Sequence, residues 1–530
     1  MSTFRMKTKC HRRLLCGMAF ILLFAFPALL LSQGYFGTVA GVVTDPTGAV
    51  LPGVKLTLSD VAKGYTFTSV SNKAGQFVMP SIPPSVYTLT AEMTGFDKAV
   101  RTGIKLDVAS HVTVNFSLKI AGASQTVQVS AQNTTLQTQD ATTGQVINRK
   151  FIENLPNTNR YVMDLVTLTP GVSRTDDQCG ISCTGTNFVS NGSRNSTADV
   201  LMDGASTTNM EPNGGVTNVT YTPSVESVQE FKVQQSNFSA EYGFSGGSIV
   251  NMVTQSGTNV FHGQLYDFVR NQALDANNWF ANHYGQPIPN LSRHNYGGTI
   301  GGPIFKNKTF FFFDWDGTYQ VAQATPQAGV PSAKERTGDF GEVCAAYGGT
   351  FDSTGMCSNP NGQIWDPYTK TYDPNLGGGV ASAFIPFNNM ATYASPGNPK
   401  LNGTPFQLSG APGDLIDPVA QKMMNLFPMP NIPGGTIYDN WIASGSNEST
   451  ENQFDIKINQ QFSQSNLLNA RWSQSWSHST PFNCFGNFID PCAGGPNSTP
   501  THLFVVDDTE TFNPTTVLDV TFGFTRGSER

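Results

Sequence analysis

The first motif able to support chemistry is Gly243-Phe244-Ser245-Gly246-Gly247, which matches the Gly-x-Ser-x-Gly pattern of serine hydrolases. That nucleophile needs a strand, a turn and a helix around it, and acid and histidine partners further along the chain. The surrounding sequence is instead rich in Gly and in short β-type segments, without alternating strands and helices. We therefore interpret Ser245 as structural and predict that the protein is not an enzyme.

A second motif, Asp314-Trp315-Asp316, could offer two carboxylates to a calcium ion. The pair follows four consecutive Phe residues at 310–313, near the predicted outer end of a strand. Aromatic and polar residues are expected at the rim of a membrane-spanning sheet. We interpret the two carboxylates as part of such a rim and predict no metal and no cofactor.

Six cysteines follow residue 33, and they form three pairs of near neighbours. Neighbouring cysteines favour local disulfides in a protein that reaches an oxidising compartment. A metal site is the alternative, although no His or second Cys pair lies at ligand spacing. The predicted disulfide pairs are Cys179/Cys183, Cys344/Cys357 and Cys484/Cys492.

The composition of the 530 residues indicates an all-β protein that does not bind nucleic acid. The chain contains 52 Gly and 32 Pro, which disfavour helix interiors. Charged residues make up 13% of the chain and the formal net charge is −7, whereas phosphate contacts need a basic surface.

Residues 1–33 have the order of an export signal. Five Lys and Arg residues precede an apolar run over 14–31, and small or polar residues follow at 32–34. This order is typical of a secretory signal peptide, and an uncleaved N-terminal anchor is the alternative. We expect the protein to leave the cytoplasm.

Residues 35–120 alternate over short segments separated by turns, which predicts a β-sandwich. The predicted strands are 39–43, 54–58, 66–70, 76–79, 87–91 and 112–118. The string GVVTDPTG at 41–48, with Pro52-Gly53 and Gly95-Phe96, resembles the carboxypeptidase regulatory-like domain. That resemblance implies an immunoglobulin-like sandwich that lacks a peptidase centre.

Residues 133–260 are polar and Gly-rich, and their motifs resemble the plug of TonB-dependent receptors. The most specific run includes AEYG at 240–243 and TQSGTN at 254–259. This order, behind a regulatory-like sandwich, resembles the Oar-like branch of these outer-membrane receptors. The chain departs from the family at Gln255, where Lys is usual, and at 157–159, where Gly is usual before the Arg.

The resemblance also identifies charged plug-motif residues, and it implies that such residues hold the plug by bonding to the barrel wall. These residues are Arg160, Arg194, Asp203, Glu230 and Glu241.

Residues 121–132 are predicted to link the sandwich to the plug, and 124–131 (SQTVQVSA) resemble a TonB box. Such a box pairs with its partner by strand addition, so the resemblance implies contact residues Thr126, Val127 and Val129. The alternative is that this segment is the last strand of the sandwich.

Residues 261–530 predict a transmembrane barrel, because apolar and polar residues alternate along each segment. For example, Ile456 and Ile458 alternate with Asp455 and Lys457, so one face is apolar and the other polar. Seven strands are predicted: 261–271, 294–304, 309–319, 451–462, 466–477, 501–512 and 516–526. A soluble sandwich, with the apolar face buried, is the alternative.

The connection lengths favour the barrel over the sandwich. Tight turns at 305–308, 463–465 and 513–515 alternate with long loops at 272–293, 320–450 and 478–500. Short turns on one side and long loops on the other are typical of outer-membrane barrels, whose long loops face outwards. Seven strands cannot close a barrel, since open edges are not tolerated in lipid, and we expect the sequence to be the N-terminal part of a longer protein.

These features together predict a TonB-dependent receptor in the cell outer membrane, with sandwich and plug on the periplasmic side. Its partners would be membrane lipid, the TonB-ExbB-ExbD complex and an extracellular ligand, which could be a carbohydrate, a peptide or a chelate. The alternative is an adhesion or structural protein that binds polymer without transport.

Overall fold

The computed structural model describes residues 35–528, apart from internal gaps. The gaps are 122–126, 131–141, 175–187, 195–196, 209–218, 236, 244, 278, 284–286, 374–377, 382, 397–407 and 490–496. The predicted signal peptide, Thr126, Cys179, Cys183 and Cys492 therefore lie outside the described residues. Within the described part, no helix is both long and apolar enough to span a membrane.

The first unit is a sandwich of two sheets, ordered β4-β1-β7, with β8 also on β1, and β3-β2-β5-β6-β9. Inward residues such as Val39, Leu56 and Leu89 form its apolar core. The strands are β1 (Gly37–Thr44), β2 (Lys55–Asp60), β3 (Thr66–Val70), β4 (Gln76–Ile82), β5 (Ser85–Glu92), β6 (Ala99–Leu106), β7 (His111–Thr113), β8 (Phe116–Ser117) and β9 (Val127–Ser130).

The sequence did not predict β6, whose alternation is interrupted at Gly103, a residue with φ of 74°. The predicted strand 112–118 is split into β7 and β8 at Asn115, whose side chain accepts the Val42 amide. Both pieces pair in parallel with β1.

The second unit is a five-stranded sheet, ordered β10-β15-β16-β13-β14. Strands β13 and β16 are buried along their whole length, because both faces of the sheet are covered. One face packs on short helical segments through Ile152 and Val162, and Met202 and Tyr221 contact Leu503 and Val505 of the third unit.

The elements of this second unit, which we call the plug, are as follows. They are β10 (Gly144–Asn148), α1 (Arg149–Asn154), a 3₁₀ helix (Val162–Leu168), β11 (Val172–Arg174), β12 (Phe188–Ser190), β13 (Ala198–Met202), β14 (Ala205–Ser206), β15 (Val228–Gln234) and β16 (Ser248–Thr254).

The third unit, which we call the wall, is one antiparallel sheet of seven long strands, each paired with the next in the chain. These are β17 (His262–Asn271), β18 (Leu291–Phe305), β19 (Thr309–Ala324), β24 (Gly445–Gln461), β25 (Asn466–Thr480), β26 (Asn497–Asn513) and β27 (Thr516–Gly527). All seven match the predicted strands, and most extend further at the loop ends.

The burial of the wall distinguishes a membrane barrel from a soluble sandwich. Its polar face is enclosed against the plug, with Asp455 and Lys457 only 1% and 3% exposed. Its apolar face is open, with Ile458 41% and Trp472 44% exposed. Since apolar side chains cover the outside of a lipid-embedded sheet, the predicted all-β barrel architecture is confirmed and the soluble sandwich is wrong.

The long loop between β19 and β24 has its own small core, around Ile385 and Leu415. It contains β20 (Gln327–Ala328), α3 (Gly341–Ala346), β21 (Lys370–Asp373), β22 (Gly378–Ala381), α4 (Pro418–Met424) and β23 (Trp441–Ile442), while α2 (Trp279–His283) lies in the loop after β17. A disulfide joins Cys344 to Cys357. Cys484 is also disulfide-bonded.

Replacing Cys344 and Cys357 with Ser should loosen this loop without opening the wall. The bond closes a segment of 13 residues, and a loop of that size contributes about 3 kcal/mol. Limited proteolysis should then cut within 330–440 much faster. Cys484→Ser, in another loop, is the control, and equal cleavage of both variants would contradict the prediction.

Candidate functional site

The plug and the wall meet around the carboxylate of Asp203. Asp203 and Gly204 have φ of 46° and 87° and form the two-residue turn between β13 and β14, a turn that favours Asp-Gly. The turn directs the carboxylate at two wall strands, where Lys457 Nζ lies 2.9 Å from Oδ1 and Arg471 Nη1 lies 3.3 Å from Oδ2. Thr254 of the plug donates its amide and hydroxyl to the same carboxylate.

The charge of Asp203 depends on these partners. Burial alone would raise its pKa, but Lys457 and Arg471, with a hydrogen bond from Thr254, lower the pKa of Asp203 to about 2. The carboxylate is therefore ionised at neutral pH. Buried ion pairs thus connect the plug to the wall.

Arg471 extends this network to Asp455 on the neighbouring wall strand. Its Nη2 lies 2.6 Å from Asp455 Oδ1, and the same oxygen accepts the hydroxyl of Tyr221 from the plug at 3.0 Å. Ser473 also donates to Asp455. All of these side chains are buried, and the hydrogen-bond partners of Asp455 come from both units.

A second charged cluster surrounds Glu226 of the plug. Glu226 is paired with Arg149, at 2.5 Å, and with Arg160, and it accepts from Gln264 on β17. The Arg160 guanidinium carbon also lies 3.8 Å from the centre of the Phe268 ring, within cation–π range. Arg160 therefore contacts the wall through the Phe268 ring, and it is ion-paired with Glu226 of its own unit.

Asp314 and Asp316 point inwards from the middle of β19, so the interpretation of this pair as an outer rim is wrong. Asp314 accepts from Ser224 of the plug at 2.7 Å. Asp316 accepts from Tyr266 and Asn295 of the wall. Across the described residues, no group of three potential ligands that could hold a metal occurs.

Glu230 does not bond to the wall, which differs from the implied role. Its Oε1 accepts the Val108 amide of the sandwich at 2.6 Å, and Lys232 Nζ donates to the Ala109 carbonyl at 2.8 Å. Burial, reinforced by the Asp107 carboxylate, raises the pKa of Glu230 to about 8. These two side chains of β15 fasten the plug to the sandwich.

The two remaining plug-motif residues lie away from these clusters. Arg194 is exposed, and its carbonyl accepts the Thr197 hydroxyl. Glu241 is half-buried, and its amide donates to Ser239. Of the five predicted residues, Asp203 is ion-paired with the wall, and Arg160 contacts the wall through the Phe268 ring.

Ser245 stabilises a turn. Its hydroxyl donates to the Thr197 carbonyl at 2.6 Å and to the Ser248 carbonyl at 2.8 Å, and it accepts the Gly247 amide. These bonds support its interpretation as a structural residue.

The segment Val127–Ser130 lies beside the sandwich, where its backbone pairs in parallel with β6, from Ala99↔Val127 to Thr102↔Ser130. This arrangement agrees with the interpretation of the segment as a last sandwich strand. It also shows that the segment can add to a sheet edge.

A cavity of about 460 Å³ lies between the plug segment 153–160 and the loop-side half of β17 and β18. Its lining includes Arg160, Arg270 and Arg293 together with Phe268. It therefore lies where the loop ends of these two strands face the plug.

Sequence reasoning did not single out Lys457, Arg471, Tyr221 or Glu226. One signal was available, because a charged residue on the polar face of a barrel strand must face the lumen or a plug. That signal does not identify the partner across the interface.

The fold and this interface define a class: an outer-membrane β-barrel protein whose wall packs against a plug, preceded by a sandwich. Residues 253–530 match the family model of the outer membrane beta barrel domain, and residues 38–119 match the carboxypeptidase regulatory-like domain. The first match covers more than half of the chain. The chain belongs to the outer-membrane β-barrel family and lies in the outer membrane.

Three further proteins are similar to parts of this chain. The TonB-dependent transporter Oar of Myxococcus xanthus is 28% identical over 258 residues, which are 46% of this chain and 23% of that protein. The outer-membrane transporter YddB of Escherichia coli is 10% identical, with a TM-score of 0.41 over 73% of this chain and 39% of that one. A ferric enterobactin receptor variant of Pseudomonas aeruginosa is 11% identical, with a TM-score of 0.38 over 74% and 42%.

The chain spans about a quarter of the length of the curated relative that it matches, and about two fifths of these two solved chains.

Proposed function

We propose that this protein is a TonB-dependent transporter that binds a ligand through its outer loops and imports it when the plug moves. The TonB-ExbB-ExbD complex would supply the force. The observation that carries the proposal is the buried ion-pair network of Asp203, Lys457, Arg471 and Asp455 between plug and wall. Within the proposal the sandwich spans 35–120, the plug 133–260 and the barrel 261–530.

The need for an external energy source follows from the cost of separating buried charges. Removing one partner of such a pair costs about 3–5 kcal/mol, and displacement of the plug would separate Asp203 from both wall cations. Thermal motion alone would therefore open the passage rarely, and a partner that pulls on the plug would be required. The chemistry is binding and gating, without a covalent step.

The ligand would enter the cavity beside Arg160 and Arg293, where amide, guanidinium and aromatic groups converge. Such a lining suits a carbohydrate, a peptide or a chelate with polar edges.

The partner would add to the segment 124–131 by strand pairing, with Thr126, Val127 and Val129 as contact candidates. Val127→Pro should abolish capture of the isolated TonB periplasmic domain by the full chain, because Pro removes a backbone donor and fixes φ. Val127→Ala keeps the donor and is the matched control. Capture should be measured by co-purification with the purified domain.

Equal capture by the Pro and Ala variants would exclude this segment as the contact. A failure of the unsubstituted chain to capture the domain would favour binding of an extracellular polymer without transport.

A further inference from the structure

The sandwich contacts the wall as well as the plug, and its contact with the wall is at the end with short turns. Asn259, in the segment between β16 and β17, bridges the two units, since its Nδ2 donates to the Lys63 carbonyl of the sandwich at 2.8 Å and to Asn307 Oδ1 of the wall at 2.7 Å. The hydroxyl of Tyr65 donates to the Lys308 carbonyl at 3.2 Å. Residues 307 and 308 belong to the turn between β18 and β19, opposite the long loops.

Apolar packing reinforces this contact. The Tyr65 ring is 5.5 Å from that of Phe310, edge to face, and both pack with Leu467 at the next turn. All three side chains are buried. The loop 60–66 of the sandwich is therefore seated on the rim formed by two wall turns.

The contact with the plug uses different residues. Glu230 and Lys232 lie two positions apart on β15, so they share one face of the strand, and they bond to the successive backbone groups of Val108 and Ala109. Val108 and Ala109 also pack with Val253 of β16 and with Tyr35.

Tyr35, at the start of the sandwich, reaches the inner side of the wall. Burial raises the pKa of its hydroxyl well above the usual value, and the nearby carboxylates of Asp507 and Asp203 raise it further. Tyr35 lines a small cavity together with Thr254 of the plug and Lys457 of the wall, so it lies close to the ion pairs that hold the plug.

We propose that the sandwich is a cap that locks the plug from the periplasmic side and must undock before the plug can move. The argument is geometric: one unit is bonded both to the plug and to the wall. A plug that moves alone breaks the bonds of Glu230 and Lys232, and a plug that carries the sandwich with it breaks the contact of loop 60–66 with the wall. The cap would control the plug movement of the proposed function, and the inference rests on that function.

The pairing of Val127–Ser130 with β6 places the candidate partner segment on this cap. A partner that takes up the segment by strand addition would compete with β6 for the same backbone groups. Capture of the segment would therefore begin at the cap.

The test weakens the seat of the cap on the wall and leaves the bonds of Glu230 and Lys232 to the cap intact. The double variant is Asn307→Gly/Tyr65→Phe. Asn307 has φ of 63°, which Gly adopts readily, so the backbone conformation of the turn is kept. Phe at position 65 keeps the ring packing and removes the hydroxyl. Hydrogen exchange of the full chain in lipid nanodiscs should become about five- to thirty-fold faster in β15 and β16, because two hydrogen bonds are lost. Asn513→Gly, in a turn whose side-chain bonds are local, is the matched control.

Two results would overturn the proposal. Faster exchange confined to residues 60–66 would show that the sandwich is seated on the wall without locking the plug. Unchanged exchange in both places would show that the seat does not restrain the sandwich.

Heat-modifiable migration of each variant verifies that the wall is folded. Capture of the TonB domain, measured on the same preparations, distinguishes the cap proposal from the proposed binding of TonB to the segment 124–131. Faster plug exchange with no capture would support the cap and contradict the proposed partner.

Discussion

Asp203→Asn should increase the displaced population of the plug by a hundredfold or more. The substitution removes one charge, and it leaves the buried Lys457 without its ion-pair partner, while Arg471 keeps Asp455. Loss of one partner from a buried pair costs about 3–5 kcal/mol. Asn tolerates the positive φ of this turn as Asp does, so the backbone should not change. Hydrogen exchange of β13 and β16 in nanodiscs measures the effect.

A control for this substitution is available on β13, the strand that precedes the turn. Asp199 is also buried, but it accepts from Ser206 and Thr208 within the plug. Asp199→Asn should therefore cost about 1 kcal/mol, as for an ordinary hydrogen bond. Equal exchange in the two variants would show that the ion pairs with the wall do not hold the plug.

A double variant tests whether the effect arises from the pair itself. Asp203→Asn/Lys457→Met removes both the carboxylate and the ammonium that it leaves unpaired. Residues in one network show interaction energies of about 0.5–3 kcal/mol, so the double variant should recover part of the loss. Strict additivity would contradict direct coupling between Asp203 and Lys457.

The wall could be predicted from sequence because its signals are local. Alternation such as that of Asp455 to Ile458 needs only neighbouring residues, and the short turns at 305–308, 463–465 and 513–515 lie between consecutive strands. Pairing of each strand with the next then follows from the connection lengths. The structure reproduces all seven strands.

The interface could be predicted only in part, because its partners lie far apart in the chain. Asp203 and Lys457 are separated by 254 positions, and neither residue carries a pattern that specifies the other. The role implied for Glu230 was a bond to the wall, whereas the structure places it against the sandwich. The sandwich contacts had no sequence signal, since they use the backbone carbonyls of Lys63 and Lys308.

The contact between sandwich and plug should weaken as the pH rises from about 4.3 to about 8. Burial and Asp107 raise the pKa of Glu230 to about 8 in the docked state, whereas an exposed Glu has a pKa near 4.3. Between these values the docked state keeps a proton that the undocked state has lost, so docking is strongest below the window. It should lose up to about 1.4 kcal/mol per pH unit within the window and level off above it.

The charged groups that face Glu230 influence how steeply the docking free energy changes with pH. They are Asp107 and Lys105 of the sandwich and Lys232 of its own strand. Glu230→Gln keeps an acceptor for the Val108 amide and removes the titration, so its docking should be nearly independent of pH. Spin labels at the exposed positions Lys73 and Thr515 report the distance between sandwich and wall in the full chain.

The distance distribution should broaden between pH 5 and pH 8 in the unsubstituted chain and remain constant in Glu230→Gln. Equal broadening in both chains would assign the pH dependence to another group. A distribution that is narrow throughout the range in both chains would mean that Glu230 does not control docking. The sandwich would then be held in place by the contacts of the 60–66 loop with the wall.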